Sequence, residues 1–363
     1  AEERLQIYTL QRDRKLSAKE QPSCLLWLQG DTPSLEFDEP CPNSQKRPGF
    51  ASGYEVERGM LETFERRIRE GSDVYAKKKE DADVVILPNK ATWLMHCLII
   101  KNQEKPQPHL SAHPHIEQVL SSANVTCKQK VALVFAYDKG RWDIHNFLPH
   151  VLSMQNHGDY DKKLIMHNTV VVPPIGYLRS TVNPWKTRKH AAFFAGTVHK
   201  DLAYSFGLRQ KGLKQYENST FVQFSRYVSN YTEEMSRFRF CLYLPGWASW
   251  SHRLFEIIDH GCIPVIVFDR SLMPVEHILR WDLASVYISE TEFNDGSLEQ
   301  IIENISENTV KKLFFELLKL RSIIYREKGN GKGYGDGFSE ILESELCRLQ
   351  RQRPQACKLF DTT

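Results

Sequence analysis

Apolar and polar positions alternate in blocks along this chain, and the clearest block is residues 240–269, FCLYLPGWASWSHRLFEIIDHGCIPVIVFD. Residues 240–244 form an apolar run stopped by Pro245-Gly246, and residues 262–268 form another stopped by Asp269. Continuous runs of this kind suit strands buried on both faces. Between them Leu254, Phe255, Ile257 and Ile258 recur at helical spacing. Ser249 or Ser251 can cap the helix start, and Gly261 stands where a left-handed C-cap residue belongs. Strand, helix and strand within about thirty residues predict a right-handed parallel crossover.

The same patterning covers most of the chain. Residues 5–10, 83–87, 131–137, 164–173, 191–195 and 284–288 are predicted strands. Residues 54–70, 93–100, 232–237, 273–278, 298–305, 309–325 and 338–349 are predicted helices, the first with Met60, Phe64 and Ile68 on its apolar face. The charged, proline-rich stretch 11–49 reads as loop, and so does GNGKGYGDGF at 329–338, whose glycines neither follow a strand nor match a phosphate-binding loop. This alternation predicts an α/β protein. The polar, basic segment NPWKTRKH at 183–190 is the predicted connector. It divides the chain into an N-terminal domain over 1–182, a C-terminal domain over 183–340, and a final helix and tail over 341–363.

Candidate chemistry gathers at strand exits, because open parallel sheets bind ligands beyond the carboxyl ends of their strands. In the 240–269 unit the predicted helix start favours an anion, and Arg253 in its first turn can grip a phosphate in bidentate fashion. Glu256, three residues on, can accept from a ribose diol; the same spacing equally suits a surface pair worth about 0.2–0.5 kcal/mol. Gly196-Thr197 closes the strand 191–195 and admits a ligand close to the backbone, and Arg209 early in the next helical segment can reach the same crevice. An ordinary strand exit with a surface Arg fits that pattern as well. Asp138, Asp143 and His145 crowd the exit of the strand 131–137 as candidates for a general base, although turn-forming Asp and solvated His are the commoner uses of these residue types.

Composition then sets limits. A chain of 363 residues exceeds what one core usually organises, and 41% apolar residues supply ample core for two domains. A net charge of +3 is too balanced to announce nucleic-acid or membrane binding, and no apolar run is long enough to span a bilayer. Eight cysteines without CxxC spacing argue against a zinc site. Cys241 and Cys262, inside predicted strands, read as core thiols, whereas Cys24 with Cys41 and Cys347 with Cys357 are candidates for disulfides in an oxidising compartment. Four N-x-S/T sequons, at Asn124, Asn218, Asn230 and Asn304, fit the same address.

The segments FCLYLPG and SHRLFEIIDHGCIPVIVFD, preceded by DADVVILP, VVVPP and RKHAAFFAG and followed by MPVEHILRWDLASVYI and YGDGF, resemble the exostosin-like glycosyltransferase family over most of residues 54–345. The resemblance implies the GT-B architecture, two facing Rossmann-like domains with parallel sheets. It implies inverting transfer of a sugar from a nucleotide-diphosphate sugar, expected to be a UDP-sugar, to a hydroxyl of a glycan or glycoprotein. Arg253 would be the diphosphate ligand and Glu256, where many members carry Asp, the ribose ligand. Ser249, Ser251 and Gly246 belong to the loop over the phosphates. The family's Asp-His-Phe region is matched only by the looser WDIHNF, so Asp143 or His145 is the expected base ahead of Asp138. Helix N-termini and Arg or Lys offset the leaving-group charge in this architecture, so no metal or other cofactor is expected. No nucleic-acid partner is expected; homo- or hetero-oligomerisation stays open. The expected location is the Golgi or ER lumen, as the soluble part of a type II membrane protein whose anchor lies outside this sequence. Two other classes fit the same residues: a catalytically silent partner or chaperone of another transferase, and a sugar-binding module.

Overall fold

The computed structural model describes residues 24–30, 56–89, 108–126, 129–136, 151–156, 158, 168–176, 178, 181–269, 271–327 and 333–351. They divide into two compact units, one holding residues 24–156, 168–176 and 333–351, the other residue 158 and residues 178–327. Each unit is built on a five-stranded, all-parallel sheet. Two Rossmann-like α/β units in one chain are the GT-B architecture expected from the sequence. Among the described residues no helix is long and apolar enough to cross a membrane.

In the first unit the strands β1 (Leu26–Leu28), β2 (Val84–Ile86), β3 (Lys130–Phe135), β4 (Leu152–Gln155) and β5 (Thr169–Val171) lie side by side in chain order. Between them run α1 (Val56–Arg69) and α2 (Pro108–Ser122). Val85, Leu87, Val131, Leu133 and Phe135 turn one face of the sheet to Ile116, Val119 and Leu120 of α2. Buried on both faces, β3 has no exposed residue, which is why it reads as a continuous apolar run. On α1, Met60 and Phe64 are buried, but Ile68, expected on the same face, is 41% exposed because the helix ends one residue later.

The expected division places 341–363 apart from both domains; instead the last helix (Asp336–Arg351) packs against α1, β2, β4 and β5 of the first unit. Arg66 of α1 donates to the Tyr334 carbonyl and to Ser339 Oγ, both at 3.2 Å, and pairs with Asp336. Arg67 forks onto Glu343 through two 3.0 Å bonds, and Tyr75 donates to the same carboxylate at 3.0 Å. The hydrogen bond to Glu343 raises the Arg67 pKa, and burial, with Glu343 beside it, raises that of Tyr75. A Cys24–Cys347 disulfide completes the join, with 5.6 Å between the Cα atoms. The expected pairs Cys24–Cys41 and Cys347–Cys357 are therefore replaced by one long-range bridge, since both partners reach the same buried layer.

The second unit contains β6 (Lys189–Ala195), α3 (Leu208–Tyr216), β7 (Val222–Ser225), α4 (Tyr231–Ser236), β8 (Phe238–Tyr243), α5 (Arg253–Asp259), β9 (Ile263–Ile266), α6 (Trp281–Ala284), β10 (Val286–Tyr287), α7 (Glu290–Asp295), α8 (Leu298–Glu303) and α9 (Glu307–Ile324). Its sheet runs β10-β9-β8-β6-β7. The predicted strand, helix and strand of 240–269 are β8, α5 and β9, and Gly261 adopts the left-handed φ of +61° expected of it. Cys241 and Cys262 are not free core thiols: they join in a disulfide between β8 and the entry of β9, 5.7 Å apart at Cα. The helix expected over 273–278 is a run of turns, broken where Val275 takes a φ of +37°. The strand expected over 5–10, the helix over 93–100 and the candidate bases Asp138, Asp143 and His145 lie outside the described residues.

Candidate active site in the second unit

The chain leaves β6 through α3 to β7 on one side and then places β8 on the other side of β6. The strand order therefore reverses between β6 and β8, and open α/β sheets bind ligands in the crevice beyond the carboxyl ends at such a point. Gly196-Thr197 leaves β6 there, and Leu244–Gly246 leaves β8.

Arg209, in the first turn of α3, bridges the two exits. Its Nη1 donates to the Thr197 carbonyl at 3.0 Å and to Tyr204 Oη at 2.8 Å, and its Nη2 donates to the Leu244 carbonyl at 3.0 Å. The side chain is 4% exposed. Burial, reinforced by the charge of Arg253, pulls this guanidinium down to about 10. Gly246 lies beside this guanidinium: its carbonyl accepts from Ser205 N at 2.7 Å, and a Cβ placed on it would stand 3.9 Å from Arg209 Nη2.

Arg253 opens α5. The N-cap of this helix is His252, without a side-chain cap bond, and neither expected serine takes that position; Ser251, one residue earlier, accepts from Arg253 N at 3.3 Å through its Oγ, and its own N–H donates to Tyr243 Oη at 3.2 Å. Burial pushes the Tyr243 phenol up to about 12, so it remains a neutral tether for the loop. The Arg253 Cζ lies 4.7 Å from the centre of the Phe194 ring, over which Arg209 also sits at 5.3 Å. Arg253 Nη1 donates to Tyr231 Oη, and Tyr231 in turn donates to Glu256 Oε2 at 2.9 Å. Burial raises the Tyr231 pKa, keeping the proton that this relay needs.

Two guanidinium groups thus share one pocket, and among the described residues neither has a carboxylate partner. Their Nε atoms are buried without hydrogen-bond partners, and so are Ser249 Oγ and Trp250 Nε1 in the adjoining loop. Unpaired donors are uncommon in protein interiors, and two guanidinium groups gathered over one Phe194 ring, at 4.7 and 5.3 Å, suit an anion rich in acceptor oxygens. At seven residues α5 is short, so the guanidinium charges contribute more to this field than the helix dipole does.

All eight residues expected around the donor are therefore placed. Arg209, Arg253, Gly196, Thr197 and Gly246 lie at the switch point; Ser251 accepts from the backbone N–H of Arg253 just before the helix; Ser249 stays buried in the loop; and Glu256 is held by Tyr231 with Oε1 unengaged among the described residues. Tyr231, Phe194 and Tyr204 were not singled out by sequence, since no motif or spacing marks them, although the phenylalanine-rich 191–195 strand points to an aromatic wall. No group of three or more His, Cys, Asp or Glu able to hold a metal ion occurs among the described residues. Of two Asp-x-Asp triplets, 81–83 and 159–161, the second lies outside the described residues; in the first, Asp83 Oδ2 accepts from Leu25 N at 2.9 Å and joins the entries of β1 and β2.

Gly196 tests the arrangement. A Cβ there would come within 2.3 Å of Arg253 Nη2, at the tip of a movable side chain. Gly196→Ala is expected to leave the melting temperature nearly unchanged and to weaken nucleoside diphosphate binding about tenfold or more, as a displaced charge-assisted hydrogen bond is worth roughly 1.5–3 kcal/mol. Calorimetric titration beside a thermal melt separates the two effects; unaltered affinity would place the anion elsewhere.

Residues 132–305 match the model of the Exostosin GT47 domain, a span that contains every residue discussed at this site. Among curated proteins the chain is similar to a "Probable glucuronosyltransferase" of Oryza sativa subsp. japonica, 32% identical over 180 residues, 46% of this chain and 41% of that protein. It is also similar to the "Probable beta-1,4-xylosyltransferase IRX10" of Arabidopsis thaliana, 29% identical over 154 residues, 41% of this chain and 36% of that protein. The chain spans about half the length, or less, of these relatives. Among solved structures, the GtfA/B complex aligns with a TM-score of 0.40 at 9% identity, over 74% of this chain and 57% of that one. An alpha-glucosyltransferase in complex with UDP-glucose and DNA containing an abasic site aligns with a TM-score of 0.36 at 12% identity, over 90% and 98%.

Proposed function

Since residues 132–305 carry an exostosin GT47 domain and set the chain among the exostosin-like proteins, we propose that it is an inverting glycosyltransferase using a UDP-sugar and a glycan hydroxyl. The observation that carries this reading is the pair of buried Arg209 and half-buried Arg253 at the β6/β8 switch point, with no carboxylate partner among the described residues. Displacing a nucleoside diphosphate develops negative charge on its phosphates, and two fixed guanidinium groups offset that charge in the transition state. No divalent metal is required for this. Glu256, held by Tyr231, is the ribose ligand. The acceptor oxygen attacks the anomeric carbon from the face opposite the diphosphate, the carbon–oxygen bond to phosphate breaks, and UDP leaves. A base takes the acceptor proton; Asp143 or His145, ahead of Asp138, is assigned that role from the sequence. The names of the plant relatives support a glucuronosyl or xylosyl group as the sugar transferred.

The two disulfides among the described residues, with four sequon asparagines that are all exposed, support a secretory-pathway lumen as the location. A glycosidase mobility shift of the secreted chain checks it; no shift, with only free thiols, would point to the cytosol.

Incubating the purified protein with a panel of nucleotide sugars and measuring nucleotide release, with and without glycan acceptors, tests the function. UDP release from one UDP-sugar, stimulated by an acceptor and resistant to EDTA, is expected. UDP binding without release from any donor would favour a silent partner of another transferase, and absence of nucleotide binding would favour a sugar-binding module. Alanine at Asp143 or His145 is expected to lower kcat with donor affinity kept.

A further inference from the structure

Of the six large hydrophobic side chains left exposed among the described residues of the second unit, four, Leu202, Phe206, Tyr227 and Trp247, lie on segments following the carboxyl ends of β6, β7 and β8, the edge that holds the arginine pair; the other two, Leu283 and Phe315, lie on α6 and α9. Trp247 is 54% exposed, in the loop between β8 and α5. Its indole meets the Tyr204 ring edge-on at 5.1 Å and 78°, and His199 at 5.2 Å and 58°. Neither ring lies flat on it, so these two neighbours buttress the indole without stacking on it.

The buttress is rigid. Gln210 Nε2, from α3, donates to the carbonyls of His199 and Asp201 at 2.8 Å and of Tyr204 at 3.2 Å. Asp201 N donates to His199 Nδ1 at 3.0 Å, which fixes the imidazole ring and leaves Nδ1 as an acceptor. Ser205, Phe206 and Gly207 take consecutive left-handed φ values of 58°, 52° and 79°, a conformation that two of these residues adopt only under constraint. The constraint is visible: Ser205 N donates to Gly246 O at 2.7 Å, Ser205 Oγ donates to Gln210 Oε1 at 3.0 Å, and Ser205 Oγ accepts from Arg209 N at 3.1 Å. One strained turn thus couples the aromatic buttress, the loop that carries Trp247 and the arginine of the anion pocket.

The spacing indicates what the indole faces. Arg209 Cζ lies 5.0 Å from the Tyr204 ring centre, and that ring lies 5.1 Å from the indole. No more than two ring spacings separate guanidinium from indole, which is the reach of a ribose with its phosphate ester. Resting on the donor-site reading above, we infer that Trp247, buttressed by Tyr204 and His199, is the stacking platform for the nucleobase of the bound nucleoside diphosphate. A base offers a π-face to an aromatic platform whatever its hydrogen-bonding edge, and it is the planar part of a ligand whose phosphates occupy the arginine pair.

Calorimetric titration of UDP and of pyrophosphate into the wild type, Trp247→Ala and Trp247→Phe tests the inference. Trp247→Ala is expected to weaken UDP binding roughly 5- to 150-fold, the affinity equivalent of one base–aromatic stack. Pyrophosphate affinity should not change, Trp247→Phe should recover most of the loss, and an indole this exposed should leave the melting temperature unaltered. UDP affinity unaffected by Trp247→Ala, or equal losses for UDP and pyrophosphate, would overturn it, the second result making Trp247 a support for the loop. Wild-type protein that binds pyrophosphate as tightly as UDP would remove the base subsite while sparing the anion pocket. Binding of neither ligand would end the donor-site reading and this inference with it.

Discussion

Arg253→Ala is expected to weaken UDP binding by about 1.5–3 kcal/mol, the scale of a charge-assisted hydrogen bond, with a melting temperature close to that of the wild type. The fold should survive because the one hydrogen bond that the guanidinium makes among the described residues is to Tyr231, which keeps its bond to Glu256 when the arginine is gone. Arg253→Lys should recover little, since an ammonium cannot reproduce a planar fork lying over the Phe194 ring. Arg209→Ala makes the informative contrast. It would take donors from the Thr197 and Leu244 carbonyls as well as from the anion, so affinity and stability should fall together. The two losses are not expected to add in the double variant, because both groups serve one pocket. Calorimetry on the four variants beside thermal melts reads all of this. Unchanged affinity in Arg253→Ala would remove that residue from the donor site.

Removing the Cys24–Cys347 bridge by paired Ser substitutions is expected to lower the stability of the first unit by about 2–5 kcal/mol, the usual range for a native disulfide. The bridge spans 323 residues and holds the last helix against the entry of β1, so it limits the unfolded chain far more than Cys241–Cys262, whose partners are 21 residues apart. The ion pairs beside it, Arg66 with Asp336 and Arg67 with Glu343, keep the helix docked once the bridge is gone, so the variant should unfold early rather than fail to fold. Denaturant titration of the wild type with and without reductant, compared with the paired variant, measures the effect. Equal midpoints, with free thiols at both positions by mass spectrometry, would contradict it.

The second unit was legible in the sequence because its central strands are buried on both faces and so leave continuous apolar runs, with helical spacing and a left-handed glycine between them. Arg253, Glu256, Arg209 and the Gly-Thr turn could be picked out because each lies at the exit of such a run. Elements that break the rule stayed hidden. β1 is three residues long within a polar, proline-rich stretch; β4 reads LSMQ and is nevertheless wholly buried; β7 alternates over only four residues. Ser153 and Gln155 of β4 are buried polar groups, and Ser153 shares a 2.8 Å hydrogen bond with Thr169 on β5, a pairing that exists only once the sheet has formed. Disulfide connectivity was hidden for a related reason, since spacing gives the number of cysteines and not their partners. The place of the last helix depended on Arg66 and Arg67, two charges that read as an ordinary basic helix end until Asp336 and Glu343 are brought to them. Tyr231 carries no sequence signal, because its role arises from the fold bringing it between Arg253 and Glu256.

A crystal structure of the protein soaked or grown with UDP tests the central claim most directly. The account predicts density for the diphosphate in contact with both Arg209 and Arg253, beyond the ends of β6 and β8. Clear nucleotide density elsewhere, or an empty pocket at a UDP concentration that saturates binding in solution, would contradict it.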